Sequence, residues 1–254
     1  MEVNVRGGAP PGPFLSAAEM LETRYDVETP VYVTVAEDPD TRTHVVHYRE
    51  HHEVVISAAA VSSAMARELI LHEFAHVVRN EEGHSSHHLE TTEAVMIGAA
   101  GRHVPRPKLI HCYQIANHMR DIYADDITLD LLPPDKLMAY LASAVAHAVS
   151  EAPHPVMRPQ SRLVSRAPDP EITAVNAAFA LGVARRHGVD PAAHRLEALA
   201  HAAGDDAPRI DIDAFADRFA RLRADPSTRE YRRALVETMQ TYLWPSPQQR
   251  QAAD

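Results

Sequence analysis

Hydrophobic and polar positions follow a two-residue period only in the first part of the chain, where they predict a small sheet. The segment VYVTVAE (31–37) alternates and is rich in β-branched residues, which is typical of a strand. THVVHYREHHEVVIS (43–57) predicts two further strands, paired as a hairpin around REHH. Before them, FLSAAEMLETRYD (14–26) has helical spacing, whereas residues 1–13 are rich in glycine and proline and are expected to be loose.

From residue 64 onward the apolar positions recur at helical spacing. AMARELILHEFAHVVRN (64–80) predicts a helix that Ser62 or Ser63 caps and that ends near Gly83. A histidine-rich loop, EEGHSSHH, follows it. Further helices are predicted at 89–101, 108–131, 135–150, 171–187, 191–203, 211–224 and 227–243. The segment 151–170 is rich in proline and predicts a linker.

The motif HExxH lies within the first long helix, at His72, Glu73 and His76. On a helix the two histidines are one turn apart, so both imidazoles can bind the same metal ion. Zinc accepts neutral imidazole nitrogen and, in catalytic sites, keeps one position for water. Glu73 is placed to act as the general base that takes a proton from this water and later as a general acid. The pattern therefore predicts a zinc peptidase site.

Two histidines need a third ligand, and the residues leave several alternatives. Asp121 and Asp125 are one turn apart on a later helix, within DIYAD. Glu90 or Glu93 lies closer along the chain, at 14 or 17 residues from His76. The other candidates are histidines, namely His84, His87 and His88 in the loop and His118 on the same helix as Asp121.

The order HExxH, then D/ExxAD on a second helix, resembles gluzincins of the CAAX-prenyl-protease-like and minimal types. The resemblance covers residues 50–130 and implies Asp121 as the third zinc ligand, in the place of the family's glutamate, with Asp125 bracing the site. The membrane helices of the group are missing, so its membrane substrates are not implied. The whole chain, especially HCYQIANHMRDIYADDITL, also resembles a haloarchaeal protein family, which implies an archaeal lineage and no activity.

The order of elements predicts an α+β fold with a small zincin-like core at 1–150, built from a helix, a short antiparallel sheet, the HExxH helix and the third-ligand helix. The linker at 151–170 is expected to lead to an all-helical region, 171–254, packed on the core. In a zincin the strand before the HExxH helix lies at the sheet edge, where it can hold a peptide. We therefore expect EVVIS to pair with an extended substrate.

Composition limits the other functions. The formal net charge of −10 disfavours non-specific binding to nucleic acid. The single cysteine, Cys112, excludes an internal disulfide and a thiolate zinc site. No apolar stretch is long enough to span a membrane, and MEVNVRGGAPPGPF does not resemble a signal peptide, so a soluble, cytoplasmic protein is expected.

These observations predict a soluble zinc metallopeptidase that acts on a peptide or protein. Asp125, or less directly Asn117, is expected to accept a hydrogen bond from a zinc-bound histidine. Tyr113, His118 and Tyr123 are candidates for the donor that stabilises the oxyanion. The alternatives are a non-catalytic scaffold stabilised by zinc, which would have a closed set of four protein ligands, and a helical adaptor that binds no metal.

Overall fold

The computed structural model describes residues 1–38, 41, 43–151 and 169–245. The described part is an α+β protein, as predicted. Its strands are β1 (Val3–Arg6), β2 (Val31–Ala36), β3 (His44–His47) and β4 (His52–Ser57). Its helices are α1 (Gly12–Leu21), α2 (Ala58–Ser62), α3 (Ala66–Glu81), α4 (Ser85–His88), α5 (Thr91–Ala99), α6 (Arg106–Leu131), α7 (Asp135–Ser150), α8 (Pro170–Arg186), α9 (Leu196–Asp206), α10 (Ile212–Ala220) and α11 (Thr228–Leu243), with a 3₁₀ turn at Pro191–His194.

The chain forms two compact units. The first contains Met1–Leu89 and Arg120–Leu137, and the second contains the described parts of Glu90–Met119 and Met138–Asp254. Helix α6 contributes residues to both units. These borders differ from the predicted division at 151–170, of which residues 152–168 lie outside the described part of the chain. The packing of residues 171–254 on the core stays a prediction.

The sheet of the first unit has the order β1-β2-β4-β3. Strands β1 and β2, and β2 and β4, are parallel, whereas β3 and β4 form the predicted antiparallel hairpin. The expected antiparallel sheet is therefore wrong, because the sheet is mixed. Residues 1–13 were expected to be loose, but Val3–Arg6 pair with Val31–Thr34, and α1 provides the crossover that a parallel pair requires.

The position of β4 also corrects an expectation. The segment EVVIS was expected at the sheet edge, but β4 lies between β2 and β3. Both sides of its backbone are used in the sheet, so β4 cannot pair with a substrate. Within the part of the chain that the structure describes, the outer strands are β1 and β3.

Helices α1 and α3 bury their apolar sides in the core of the first unit. The side chains of β2 and β4 alternate, and Val33, Val54 and Ile56 face this core. On α3, Phe74 and its apolar neighbours are at most 1% exposed. Burial of an apolar side chain of this size stabilises the fold by roughly 1.5–3 kcal/mol. The same packing fixes the position of the histidines, which lie on the adjoining side of α3.

The second unit is helical in its described residues. Helix α8 is buried along most of its length and packs against α9 and α10. Gly182 permits this approach, because a Cβ atom there would lie 2.6 Å from Cβ of Phe219. Helix α5 packs against α11. Among the helices of the described residues, none combines the length and the apolar character that crossing a membrane requires.

Candidate metal centre

Helix α3 presents the three residues of HExxH to one location. His72 and His76 are one turn apart, and their Nε2 atoms lie 3.1 Å from each other. Their side chains are 19% and 12% exposed, so the site is sheltered but reachable by water. Glu73 is 8% exposed. One turn of the helix therefore supplies two imidazoles and a buried carboxylate.

Asp121 of α6 completes a group of three potential ligands. Its Oδ1 atom lies 3.5 Å from Nε2 of His76 and 3.9 Å from Nε2 of His72. All three ligand atoms are within 4.8 Å of one another. Ligands at about 2.0–2.1 Å from a tetrahedral zinc ion are about 3.3 Å apart. The observed separations are close to this value, so the residues fit a metal ion of this size.

Two contacts fix this part of α6 against its neighbours in the first unit. Nε of Arg79, on α3, donates to the carbonyl oxygen of Tyr123 at 3.0 Å. Nε of Arg120 donates to the carbonyl oxygen of Ser86, at the beginning of α4, at 3.3 Å. Asp121 lies between Arg120 and Tyr123 in sequence, so these two bonds from arginine side chains to main-chain carbonyls hold it near α3.

Asp125 binds His72 directly. Its Oδ1 atom lies 2.8 Å from Nδ1 of His72, and the residue is 2% exposed. An ionised carboxylate can only accept, so Nδ1 of His72 carries the hydrogen and Nε2 is left to face the ligand group. This is the contact with a carboxylate that metal-binding histidines usually make. Asp125 therefore makes the expected contact with a histidine of HExxH, and its supporting role beside a metal ion stays a prediction.

The charges of the site depend strongly on one another. Burial lowers the pKa of His72, but the carboxylates of Asp125, Asp121 and Glu73 outweigh it and raise the pKa to about 10. Burial raises the pKa of Glu73, and the neighbouring His72 and His76 oppose this rise. Three carboxylates around two imidazoles leave a local excess of negative charge when the imidazoles are neutral. A divalent cation compensates such an excess.

A second set of contacts holds His76, and the sequence did not predict it. Nδ1 of His76 lies 2.8 Å from Nε2 of His87. Nδ1 of His87 lies 2.8 Å from Oγ of Ser86, which in turn lies 2.7 Å from Nδ1 of His84. His84 and His87 are among the predicted candidates for the third ligand, but in the structure His87 contacts the ring nitrogen of His76 that faces away from Asp121.

Gly83 explains how the histidine-rich segment reaches His76. Its φ of +68° reverses the chain after α3, and the amide of His84 donates to the carbonyl oxygen of Arg79. Helix α4 then runs back beside α3, where His88 contacts the carbonyl oxygen of Asn80. A glycine after a helix, followed by HSSHH, is the only signal in the sequence for this arrangement.

The other predicted ligands have different surroundings. Glu93 forms an ion pair with Arg232 in the second unit, and Glu90 is exposed at the start of α5. His118 lies 2.8 Å from Oδ1 of Asn176 and stacks on Phe179, also in the second unit. Asp121 is thus the candidate that the structure brings together with both histidines of HExxH.

The candidates for the oxyanion donor are dispersed. Tyr123 belongs to the first unit, is fully buried and has its ring centroid 4.4 Å from that of His84. Tyr113 is 40% exposed and lies 3.4 Å from Thr92, in the second unit with His118. Asn117, the weaker candidate for a supporting contact, is exposed on the second unit. The donor role of Tyr113, His118 and Tyr123 stays a prediction.

Another group of potential ligands, His111, Asp169 and Glu171, lies in the second unit. Lys108 forms an ion pair with Glu171, and the hydroxyl of Tyr242 lies 3.0 Å from Glu171 and 2.5 Å from Nδ1 of His111. Burial raises the pKa of Glu171, but Lys108 and Tyr242 lower it overall. The ammonium group of Lys108 already compensates this carboxylate, so the group forms a hydrogen-bond network between helices.

Fold and site together define an α+β protein with a candidate metal centre formed by HExxH and an aspartate. Residues 1–244 match a family of unknown function, DUF5781, and the chain belongs to this family. No curated protein and no solved structure matched the chain in the corresponding comparisons. The family brings no activity with it, so any function must be argued from the site.

Proposed function

We propose that the protein is a zinc-dependent peptidase whose metal ion is held by His72, His76 and Asp121. The observation that carries the proposal is the convergence of these three ligand atoms, with the buried carboxylate of Glu73 close enough to interact electrostatically with all three residues. Two imidazoles and one carboxylate are a set that zinc accepts, and hydrolytic zinc enzymes use such sets.

Glu73 would move the proton during hydrolysis. Zinc, when bound, acts as a Lewis acid that polarises a carbonyl group and lowers the pKa of water to about 7. Burial raises the pKa of the Glu73 carboxyl towards the range of a general base and acid at neutral pH. Glu73 can therefore accept a proton from the attacking water and return it to the leaving amine. Asp125 meanwhile holds the ring of His72 in place.

The number of ligands favours a catalytic over a structural site. Among the residues that the structure describes, no fourth His, Cys, Asp or Glu belongs to the group of His72, His76 and Asp121. A structural zinc site is closed by four protein ligands, whereas a catalytic site keeps a position for water. This observation supports the peptidase over the alternative of a zinc-stabilised scaffold.

The outer strand β3 is the best place for an extended substrate. The amide of Tyr48 donates to the carbonyl of His51, and this fixes the alternation of bonds in the β3–β4 hairpin. By that alternation the main-chain groups of Val45 and His47 point away from β4. A peptide could pair with these groups by adding a strand to the sheet. Strand β3 also contacts α3, which carries HExxH.

The test combines metal content with peptide cleavage. We expect about one zinc ion per chain in the wild type and in Glu73→Gln, and its loss in His76→Ala and Asp121→Ala. Cleavage of a mixture of unstructured peptides should be present in the wild type and fall by at least about 10²-fold in Glu73→Gln, which removes the general base. A wild type that binds zinc and cleaves no peptide would favour the scaffold. A wild type that takes up no zinc on reconstitution would refute the proposal.

A further inference from the structure

The contacts of Ser86 fix which ring nitrogens carry hydrogen. The amide of Ser86 lies 3.3 Å from Nδ1 of His84, and an amide can only donate, so Nδ1 of His84 is an acceptor. The hydroxyl of Ser86 lies 2.7 Å from the same nitrogen and must also donate to it. Since the hydroxyl has one hydrogen, its contact of 2.8 Å with Nδ1 of His87 must be one in which His87 donates.

The direction of these bonds continues to His76. A neutral imidazole carries one hydrogen, and in His87 the contact with Ser86 places it on Nδ1. Nε2 of His87 is therefore an acceptor. Nδ1 of His76, 2.8 Å away, must donate to it. In a neutral His76 this leaves a lone pair on Nε2, the atom that faces His72 and Asp121.

We propose that His87, oriented by Ser86, is a positioning residue of the metal centre: it accepts the Nδ1 hydrogen of His76 and so holds the Nε2 lone pair of His76 towards the ion. Asp125 does the same for His72. The two ligand histidines thus have different supports, a carboxylate for His72 and a neutral imidazole for His76. The inference rests on the proposed function, because it assigns a role within that metal centre.

The first test detects the hydrogen itself. In the full chain with ¹⁵N-labelled histidine, NMR distinguishes ring nitrogens with and without hydrogen, and His76→Gln identifies the signals of His76. We expect hydrogen on Nδ1 and none on Nε2 of His76, in the metal-free and in the zinc-loaded protein. In His87→Leu the metal-free protein should show both forms. Hydrogen on Nε2 of His76 in the metal-free wild type would overturn the proposal.

The second test measures zinc affinity by competition with a chelator. His87→Leu removes the acceptor and should weaken binding by about 10–100-fold, the usual effect of losing such a supporting contact. His87→Gln retains an acceptor oxygen and should restore most of the affinity. His88→Leu is the matched control, because His88 is exposed on the same short helix and its Nε2 atom contacts the carbonyl oxygen of Asn80. Its affinity should equal that of the wild type.

Further outcomes separate the two proposals. If His87→Leu fails to fold, Ser86→Ala replaces it, since this variant leaves His87 in place but removes its orientation and should weaken zinc binding less. Wild-type affinity in His87→Leu would overturn the positioning role while leaving the peptidase intact. Zinc binding and hydrogen on Nδ1, but no peptide cleavage, would refute only the proposed activity. A wild type that binds no zinc would overturn both.

Discussion

At the scale of single residues, His72 holds a proton that a zinc ion at the proposed site would have to displace. The pKa of His72 is raised to about 10, so the metal-free protein carries an imidazolium there at neutral pH. Zinc requires the neutral ring, and binding therefore releases a proton. Protonation competes with the metal at every pH below about 10, so the apparent affinity should increase with pH, by up to about tenfold per unit.

Calorimetry tests this directly. We expect about one proton released per zinc at pH 7, measured as the dependence of the binding enthalpy on the ionisation enthalpy of the buffer. Asp125→Asn removes the carboxylate that contributes most to raising the pKa of His72. It should reduce the number of protons released and also weaken binding by about 10–100-fold. An enthalpy that is the same in all buffers at pH 7 would contradict the raised pKa.

Spacing along the sequence predicts some of these residues and cannot predict others. His72, Glu73 and His76 follow from one turn of a helix, whose geometry is the same in every protein. Asp121 and Asp125 were candidates from their spacing of one turn, and the resemblance implied the role of each, as ligand and as bracing residue. The role of His87 depends on how the chain reverses at Gly83 and on the direction of hydrogen bonds through Ser86. Neither the chain reversal nor the direction of the hydrogen bonds can be predicted from the spacing of residues along the sequence.

At the scale of elements, the end of α3 is tied to the sheet by one carboxylate. Glu81 accepts from the amides of Glu28 and Thr29, at 2.8 and 2.9 Å, and contacts Nε2 of His52 at 3.1 Å. A hydrogen bond to a charged group contributes about 1.5–3 kcal/mol to the free energy of unfolding. Removing the acceptor costs additional free energy when a buried donor is left without a partner. The bonds of Glu81 therefore fix the position of the HExxH helix over β4.

Glu81→Ala should lower the free energy of unfolding by about 2–3 kcal/mol, measured by urea denaturation. Glu82→Ala is the matched control at the neighbouring position, where the exposed carboxylate pairs with Arg79. An exposed pair contributes about 0–1 kcal/mol, so this variant should be close to the wild type. Equal losses in the two variants would show that the bonds of Glu81 stabilise the fold no more than the exposed ion pair of Glu82 does.

The outer strand gives a prediction about the substrate. Val45→Pro removes an amide that points away from β4, and proline is tolerated at such positions of an edge strand. The hairpin should stay intact, with a melting temperature near that of the wild type. Peptide cleavage should show a higher KM with a smaller change in kcat, because the lost bond would hold the substrate and not the reacting groups. Val45→Thr keeps the amide and serves as the control.

If Val45→Pro cleaves peptides with an unchanged KM, the substrate does not pair with β3.

The sequence analysis expected β4 at the edge of the sheet, and this expectation is wrong for a physical reason. Alternation identifies a strand and its buried face, but the strand order depends on which partners its main chain finds. Here β1 comes from a segment rich in glycine and proline, and it occupies one edge while β3 occupies the other.

At the scale of the whole molecule, the two units are interleaved in sequence. Residues 120–137 join the first unit although they follow thirty residues that belong to the second. Helix α6 is continuous in sequence and periodicity, so no break in the pattern indicated that its residues divide between units. The proline-rich segment 151–170 is the strongest loop signal in the sequence. Such a composition predicts a loop, but it does not predict where one compact unit ends and the next begins.

The location of the proposed ligands predicts which part of the molecule bound zinc would stabilise. All three belong to the first unit, on α3 and on residues 120–131 of α6. A ligand that binds only the folded state adds roughly 2.7 kcal/mol when its free concentration is about 100 times Kd. Some amides of α3 exchange through a local opening that also disrupts the metal site, and their hydrogen exchange should slow by up to about 100-fold on zinc binding. The amides of α8 and α10, in the second unit, serve as internal controls whose exchange should not change. Equal slowing in α8 and α10, or none in α3, would show that zinc binds elsewhere than at His72, His76 and Asp121.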